Sequence, residues 1–316
     1  MTSQAEERST RLAALPFQAS GPTTSRSIGG FISSVKEIVG QRELLDLLIR
    51  RELKSRYKDS SLGFVWSLIK PLTMLMIYYV FIGQVLQAAR GVPDFAIFVY
   101  AGLTLWGLYS EIVSTGTSSI ISNAGLIKKV YLPREIFPLA SVGSALFNFA
   151  IQMTILLLAT IALGQFPLSW NLLYIPVAVI IVVIYGTALA LLLYALNVYL
   201  RDIQYLVEVV MLIFFWASPI VYAWSFVVNA VVTRGVGWLQ EIYLLNPVTV
   251  AMMAFQKGIW KAGSETRVLG TLEIGPQPWP ENLDLRLLVV GIVGLLFVVV
   301  AQRIFARLQG NFAQEI

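Results

Sequence analysis

Residues 126–142 read LIKKVYLPREIFPLASV, a basic strip punctuated by Pro133 and Pro138 and set between two long apolar runs. Lys128, Lys129, Arg134 and Glu135 stand together there, in a chain of 316 residues that is 57% hydrophobic and only 13% charged. A water-soluble domain carries about 25% charged residues. With a mean hydropathy of +0.74, most of this chain is therefore expected to have a bilayer as its solvent. The strip is then a loop that touches something in water.

Outward from the strip, strongly apolar windows centre on about 62–87, 95–121, 136–163, 170–199, 204–227 and 284–307. Each supplies the ~20 residues that a helix needs to cross ~30 Å of hydrocarbon. A membrane barrel would alternate in ~10-residue segments instead. The expected fold is an all-α integral membrane protein with six transmembrane helices. Residues 228–283 form the one large outer segment, with two half-length apolar pieces at 236–245 and 246–260 and then a Gly/Pro-rich stretch ending in GPQPWPEN. Pieces this short do not cross, so short outer re-entrant or interfacial helices are expected over 228–262. No internal repeat relates the two halves.

Basic residues orient the chain. Residues 1–58 hold ten of the 23, the 126–135 strip three, Arg201 marks the next inner loop, and Arg303 and Arg307 the last span's end. The outer loops hold five: Arg90, Arg234, Lys257, Lys261 and Arg267. Sixteen against five places both termini in the cytoplasm. Residues 1–40 lack the apolar core of a signal peptide and are expected to be a flexible cytoplasmic tail; 311–316 form a short C-terminal tail.

Residues 42–58, RELLDLLIRRELKSRYK, alternate apolar and charged positions at helical spacing and are too polar to span. They suit an amphipathic helix lying in the inner interface. Arg50, Arg51, Lys54, Arg56 and Lys58 either are solvated anchors or also receive an anionic headgroup. DSSLG at 59–63 turns the chain into the first span, with Gly63 allowing close backbone approach. Within the spans, Lys70 either snorkels to the interface or meets substrate, and Pro71 is expected to kink the helix. Glu111 lies at hydrocarbon depth, where an acid is functional by default, although Ser110, Ser114, Thr115 and Thr117 offer it structural hydrogen bonds. The fifth span closes with FFWASPIVYAW at 214–224, where Pro219 is expected to break the helix near its outer end, and Trp216, Tyr222 and Trp224 form an aromatic belt or line a conduit.

The chain has no Cys and no His, which removes disulfides, Cys or His metal sites, thiol nucleophiles and imidazole bases. It has no G-x-x-x-x-G-K-[ST] phosphate loop and no adjacent pair of acids beyond Glu6 and Glu7, whereas a membrane glycosyl- or phosphotransferase needs clustered acids over a metal. No cofactor is expected in this chain. Its basic pI near 9.4 suits an anionic leaflet or headgroup, and no pattern points to nucleic acid. What remains is a passive pathway worked from outside by a motor.

Five pieces in order carry a resemblance: RELKSRYKDSSLGFVWSLIKPL at 51–72, the strip at 126–142, RDIQYL at 201–206, SPIVY at 218–222 and LLNPVTVAMMAF at 244–255. Over about residues 40–310 the chain resembles the membrane subunits of type-2 ABC exporters for polysaccharides, which move O-antigen, teichoic acid, capsule or galactan chains. Gln256, where relatives carry Arg, and Lys70, where they carry a neutral residue, depart from the pattern. The resemblance implies a type-2 ABC transmembrane domain over 41–310 in a bacterial inner membrane, paired with a second copy of itself and with two ATPase subunits that hold ATP and Mg. Leu126, Lys128, Lys129, Tyr131, Pro133, Arg134 and Glu135 would form the coupling helix seated in the ATPase. Residues 50–58, with Gly63, would receive the headgroup of a polyprenyl-diphosphate-linked glycan. Trp66, Tyr78, Tyr79, Trp106, Phe215, Trp216 and Tyr222 would line a conduit on whose rings sugar faces stack. A drug or lipid exporter of the same fold, and a membrane-bound glycolipid enzyme or anchor, are the competing readings.

Overall fold

A computed structural model of the chain describes residues 28–57, 65–85, 87, 92–127, 133–269, 272–309 and 312. Among the described residues, five helical stretches are long and apolar enough to cross a membrane: Leu68–Val85, Phe95–Ser122, Ile136–Ala162, Trp170–Tyr199 and Leu283–Leu308. In chain order the helices are α1 (Ile28–Gly40), α2 (Arg42–Tyr57), α3 (Trp66–Ile77), α4 (Phe95–Ser122), α5 (Ala124–Ile127) and α6 (Ile136–Ala162). They continue with α7 (Tyr174–Tyr199), α8 (Ile203–Trp216), α9 (Trp224–Val232), α10 (Leu239–Leu244), α11 (Pro247–Ile259), α12 (Lys261–Ser264) and α13 (Leu283–Leu308). Helix α3 runs directly into a π-helical stretch, Tyr78–Val85.

Helix α4 is the hub. Val99, Ala101, Leu105, Ile112 and Val113 have no exposed surface, and burial extends around most of the helix. A helix that is apolar on nearly all sides has to be enclosed by others, and α4 packs chiefly on α7 and α6. With no water to squeeze out between spans, association in lipid depends on close van der Waals approach through small residues. Gly116 supplies one such contact, because a Cβ there would lie 2.6 Å from Ala190 Cβ on α7. Asn197 on α7 adds a polar link, its Nδ2 donating to the Thr117 carbonyl at 3.1 Å.

The expected fifth span, 204–227, is not one helix. Helix α8 covers only 14 residues, about 21 Å at 1.5 Å per residue. The chain then leaves helical geometry over 217–223 and resumes as α9. Pro219 has no N–H to continue the ladder, and the carbonyls freed by the break need other donors. Helix α11 provides one: Gln256 Nε2 donates to the Pro219 carbonyl at 2.8 Å. The start of α11 is fixed by Asn246, whose side chain accepts from Val248 N at 3.0 Å, with Pro247 in the first turn. Asn246 Nδ2 and Thr249 Oγ1 each reach Ser218 Oγ at 3.5 Å, so that the SPIVY and LLNPVTVAMMAF pieces pack against each other. Far from being loose on the surface, α11 is buried, with Val250, Met252, Met253 and Phe255 fully enclosed.

Two further expectations change. Residues 28–40, expected within a flexible tail, form α1, held to the last span by Gln302 Nε2 donating to Ser34 Oγ at 3.0 Å. The Gly/Pro-rich stretch contains a minimal antiparallel hairpin, β1 (Arg267–Leu269) and β2 (Leu272–Ile274), with Arg267 opposite Ile274. Three-residue strands fall below any length that periodicity reveals.

The broken segment lies hard against α4: a Cβ on Gly102 would stand 2.7 Å from the Ile220 carbonyl oxygen. Backbone cannot yield as a side-chain tip can. Gly102→Ala is expected to cost about 1–3 kcal/mol by overpacking, measured as a lowered thermal midpoint of the purified protein. Gly291→Ala, whose Cβ meets nothing within 4 Å, is expected to leave the midpoint unchanged or slightly raised.

Candidate functional site

One stripe of α4 decides where the polar chemistry lies. Leu103, Trp106, Gly107, Ser110, Glu111, Ser114 and Thr115 recur at three- and four-residue spacing and line a single cavity of about 820 Å³. Twelve residues of helix carry this stripe about 18 Å, more than half of a ~30 Å hydrocarbon layer. Trp66, Lys70 and Tyr78 face the stripe from α3 and its π-helical extension; Asn148 and Gln152 from α6; Glu208, Met211 and Phe215 from α8; Arg56 closes one end from α2.

The aromatic wall is continuous. Trp106 meets Phe215 edge-on at 5.7 Å between centroids, and Tyr78 meets Phe215 at 5.9 Å. Of the seven aromatics expected along a conduit, Trp66, Tyr78, Trp106 and Phe215 line this cavity. The others do not. Tyr79 and Trp216 are exposed elsewhere, and the Tyr222 hydroxyl donates to the Trp216 carbonyl at 2.7 Å and shares a 3.0 Å hydrogen bond with the Tyr243 hydroxyl. Tyr222 thereby ties the helix break to α10.

The charges in the cavity are paired. Arg56 Nη1 forms an ion pair with Glu111 Oε1, and Asn148 Nδ2 donates to that same oxygen at 2.6 Å. The ion pair is mostly sheltered, with side chains 33% and 19% exposed. Glu52 accepts from Ser144 Oγ at 3.2 Å, and loss of water around it lifts its carboxyl above the ordinary carboxylate range, with Glu111 adding to the rise. Lining cations Arg56 and Lys70 are matched by lining acids Glu111 and Glu208, so the cavity carries no net positive potential. Lys70 therefore sits in the cavity wall and not merely at a span end. Glu208 is a further member that sequence reasoning did not single out. Its signal was available, because an acid inside an apolar span marks a functional position by the rule that singled out Glu111. Among the described residues no three acids, His or Cys gather in a metal-binding arrangement.

The other expected headgroup cations are turned elsewhere. Arg50 pairs with Asp46 at 2.7 Å on an exposed face, Arg51 donates to Asn123 Oδ1 at 3.0 Å and so joins α2 to the end of α4, and Lys54 is exposed. Lys58 and Gly63 lie outside the described residues.

At the same end of the bundle, a second core of Leu48, Ile136, Phe137, Tyr194, Phe305 and Phe312 gathers α2, α6, α7 and α13. Leu126 packs against it. Arg134 donates to the Gln309 carbonyl and holds its guanidinium 5.4 Å over the Phe312 ring. Glu135 is buried, and that burial holds its carboxyl above the ordinary range, Glu37 adding to the effect and Arg134 opposing it. Pro133 is half-buried, while Lys128, Lys129 and Tyr131 lie outside the described residues.

A bundle of long apolar helices around an open aromatic and polar cavity has the form of a transport-type transmembrane domain. Residues 43–260 match the ABC-2 type transporter family, and the chain belongs to that family. It is similar to the O-antigen export system permease protein RfbA of Myxococcus xanthus, 33% identical over 225 residues that cover 71% of this chain and 83% of the relative. It is also similar to the O-antigen export system permease protein RfbA of Klebsiella pneumoniae, 28% identical over 273 residues, 86% and 94% of the two chains. A more distant relative is the polysialic acid transport protein KpsM of Escherichia coli, 25% identical over 146 residues, 43% of this chain and 56% of that one.

Two outcomes follow from these geometries. A double-mutant cycle of Arg56→Met and Glu111→Gln is expected to give a coupling of about 1–2 kcal/mol, between the surface and buried regimes. The exposed Arg50–Asp46 pair should give about 0.5 kcal/mol or less. Because the Glu135 carboxyl is raised, the folded chain keeps a proton that the unfolded chain has lost above its ordinary value of 4.5. Stability from this group therefore falls as pH rises through its folded value. Glu135→Gln should be more stable than the parent near neutrality, and the advantage should shrink as pH falls toward 4.5.

Proposed function

We propose that this chain is the permease of an ABC exporter that carries a polyprenyl-diphosphate-linked glycan, of O-antigen, galactan or teichoic-acid type, outward across a bacterial inner membrane. Two copies of the chain work with two separate ATPase subunits that bind ATP and Mg. The termini and the basic corner face the cytoplasm, and α8 with α9 forms the remaining span, so that six cross the bilayer. The observation that carries the reading is the stripe on α4, whose Trp106, Ser110, Glu111, Ser114 and Thr115 share one cavity with the rings of Trp66, Tyr78 and Phe215. Glycan hydroxyls lose hydration on entering hydrocarbon and need such partners, whereas ring faces accept successive sugars without regard to sequence. A drug or simple lipid exporter has less use for Glu111, Asn148, Gln152 and Glu208 in the same wall. The names of the relatives point the same way.

Arg56 is the headgroup cation nearest the cavity, and it is already held by Glu111. Receiving a diphosphate requires that guanidinium to exchange the carboxylate for phosphate oxygens, a charge-assisted contact of comparable strength. Glu111 then holds the place of the anion until substrate arrives. ATPase closure would push on residues 126–135 and bias the spans between two packings. Since Arg134 is engaged with Gln309 and Phe312 and Glu135 is buried, the ATPase contact falls to Lys128, Lys129 and Tyr131.

Surface glycan in cells that depend on this permease tests the reading. Trp106→Ala and Phe215→Ala should each lower it several-fold with the protein present in the membrane at parental levels. Undiminished glycan export in both variants would overturn the assignment. Lys129→Glu should reduce co-purification of the ATPase without lowering the thermal midpoint, whereas Arg134→Glu should lower the midpoint first.

A further inference from the structure

A second cavity, of about 690 Å³, runs between α7 and α13, away from the α4 stripe. Its walls are apolar, with Val177, Ile180, Ile184, Leu288, Ile292 and Leu295 among them, and several of these are more than half exposed. Polar groups appear at one end only, where Asn171, Tyr174 and Asp284 line it. There the Tyr174 hydroxyl donates to Asp284 Oδ1 at 2.6 Å, and Lys257 Nζ donates to the Tyr174 hydroxyl at 3.2 Å while lying 4.5 Å from the centre of its ring. A cation and an anion thus stand on either side of one phenol. Trp170 is 88% exposed beside them, the placement of a ring at headgroup depth.

The groove's length fits one leaflet. From Tyr174 to Ile184 the helix rises about 15 Å, half of a ~30 Å hydrocarbon core. Its depth depends on Gly291. A glycine inside a helix is destabilising by about 1 kcal/mol relative to alanine and in membranes is normally repaid by close helix packing. Gly294 fits that rule, since a Cβ there would strike Tyr185 at 2.7 Å. Gly291 does not: a Cβ there would meet nothing within 4 Å. Its missing side chain serves no contact inside the chain and leaves the floor of the groove open.

We propose that this groove binds one phospholipid with a zwitterionic, primary-amine headgroup of the ethanolamine type. One acyl chain lies along Val177, Ile180 and Gly291. The phosphate approaches Lys257, and the ammonium donates to Asp284. A headgroup of single negative charge leaves Asp284 facing an anion, and a choline has no N–H to give it. The site is separate from the glycan cavity and does not depend on what that cavity carries.

The test is retention of lipid by the purified full-length protein in detergent, read by native mass spectrometry after adding phosphatidylethanolamine, phosphatidylcholine or phosphatidylglycerol of identical acyl chains. The parent is expected to retain phosphatidylethanolamine several-fold over the other two. Gly291→Leu should abolish that preference without lowering the thermal midpoint. Asp284→Asn, which removes the acid and leaves Lys257, should shift the preference toward phosphatidylglycerol. Equal retention of all three lipids by the parent overturns the proposal, as does parental selectivity in a folded Gly291→Leu protein. Strongest retention of phosphatidylglycerol by the parent would replace it with an anionic-lipid site.

Discussion

Hydrocarbon offers no partner for a hydroxyl, an amide or a carboxylate, and α4 carries all three kinds of demand on or against one stripe. Glu111 cannot face lipid at acceptable cost, while Ser110 and Thr115 donate to carbonyls of their own helix, and the helices around them gather polar partners along that stripe. α6 brings Asn148 and Gln152, α8 brings Glu208 and α2 brings Arg56. The opposite sides of α4 are free to be apolar and tightly packed, and they are. The same arrangement thus accounts for the bundle and for the cavity. Shelter for the polar stripe leaves a hollow because the residues lining it are rings and flexible polar chains that bridge only part of the gap.

The broken segment at 217–223 is the second place where bilayer physics governs the fold. A backbone that leaves helical geometry exposes carbonyls that lipid cannot satisfy. Helix α11 is buried beside the break, gives Gln256 to the Pro219 carbonyl, and its own start is capped by Asn246. Tyr222 adds a bond to Trp216 across the same interruption. At position 256, where the resemblance leads to an expected arginine, the neutral amide of Gln256 serves this carbonyl and adds no charge to a buried position.

Much of this architecture was legible before any coordinates. Four of the six apolar windows became continuous long helices over nearly the expected residues, because twenty apolar residues in a row admit few alternatives. The first became a helix with a wider π-helical second half. The fifth is interrupted around Pro219, the proline that marks a break in the sequence itself; what the sequence does not show is that helix resumes at Trp224 as α9. Residues 28–40 were misread because their contact with Gln302 is made to a span almost at the other end of the chain. At the site, an acid in a span, the rings Trp106 and Phe215 and a cation at Arg56 are each visible as local signals, and they line one cavity. What the sequence could not display was partnership. Nothing in the order of residues says that Arg56 faces Glu111, that Arg134 turns toward Phe312, or that Tyr222 belongs to a helix break. Each of those pairings joins elements tens of residues or more apart, or depends on which way a bend turns.

The clasp at the basic corner has a mechanical result. Arg134 sits just ahead of α6, while Gln309 and Phe312 end α13. Stitching these together, and filling the space beneath with Tyr194 and Phe305, makes two sequence-distant spans share one foot. Any displacement applied at that foot moves both as a single strut. It also reaches α2, whose Leu48 is seated in the same cluster, and α2 carries Arg56. A shove at the corner thereby reaches the Arg56 end of the hollow through side chains packed in one cluster.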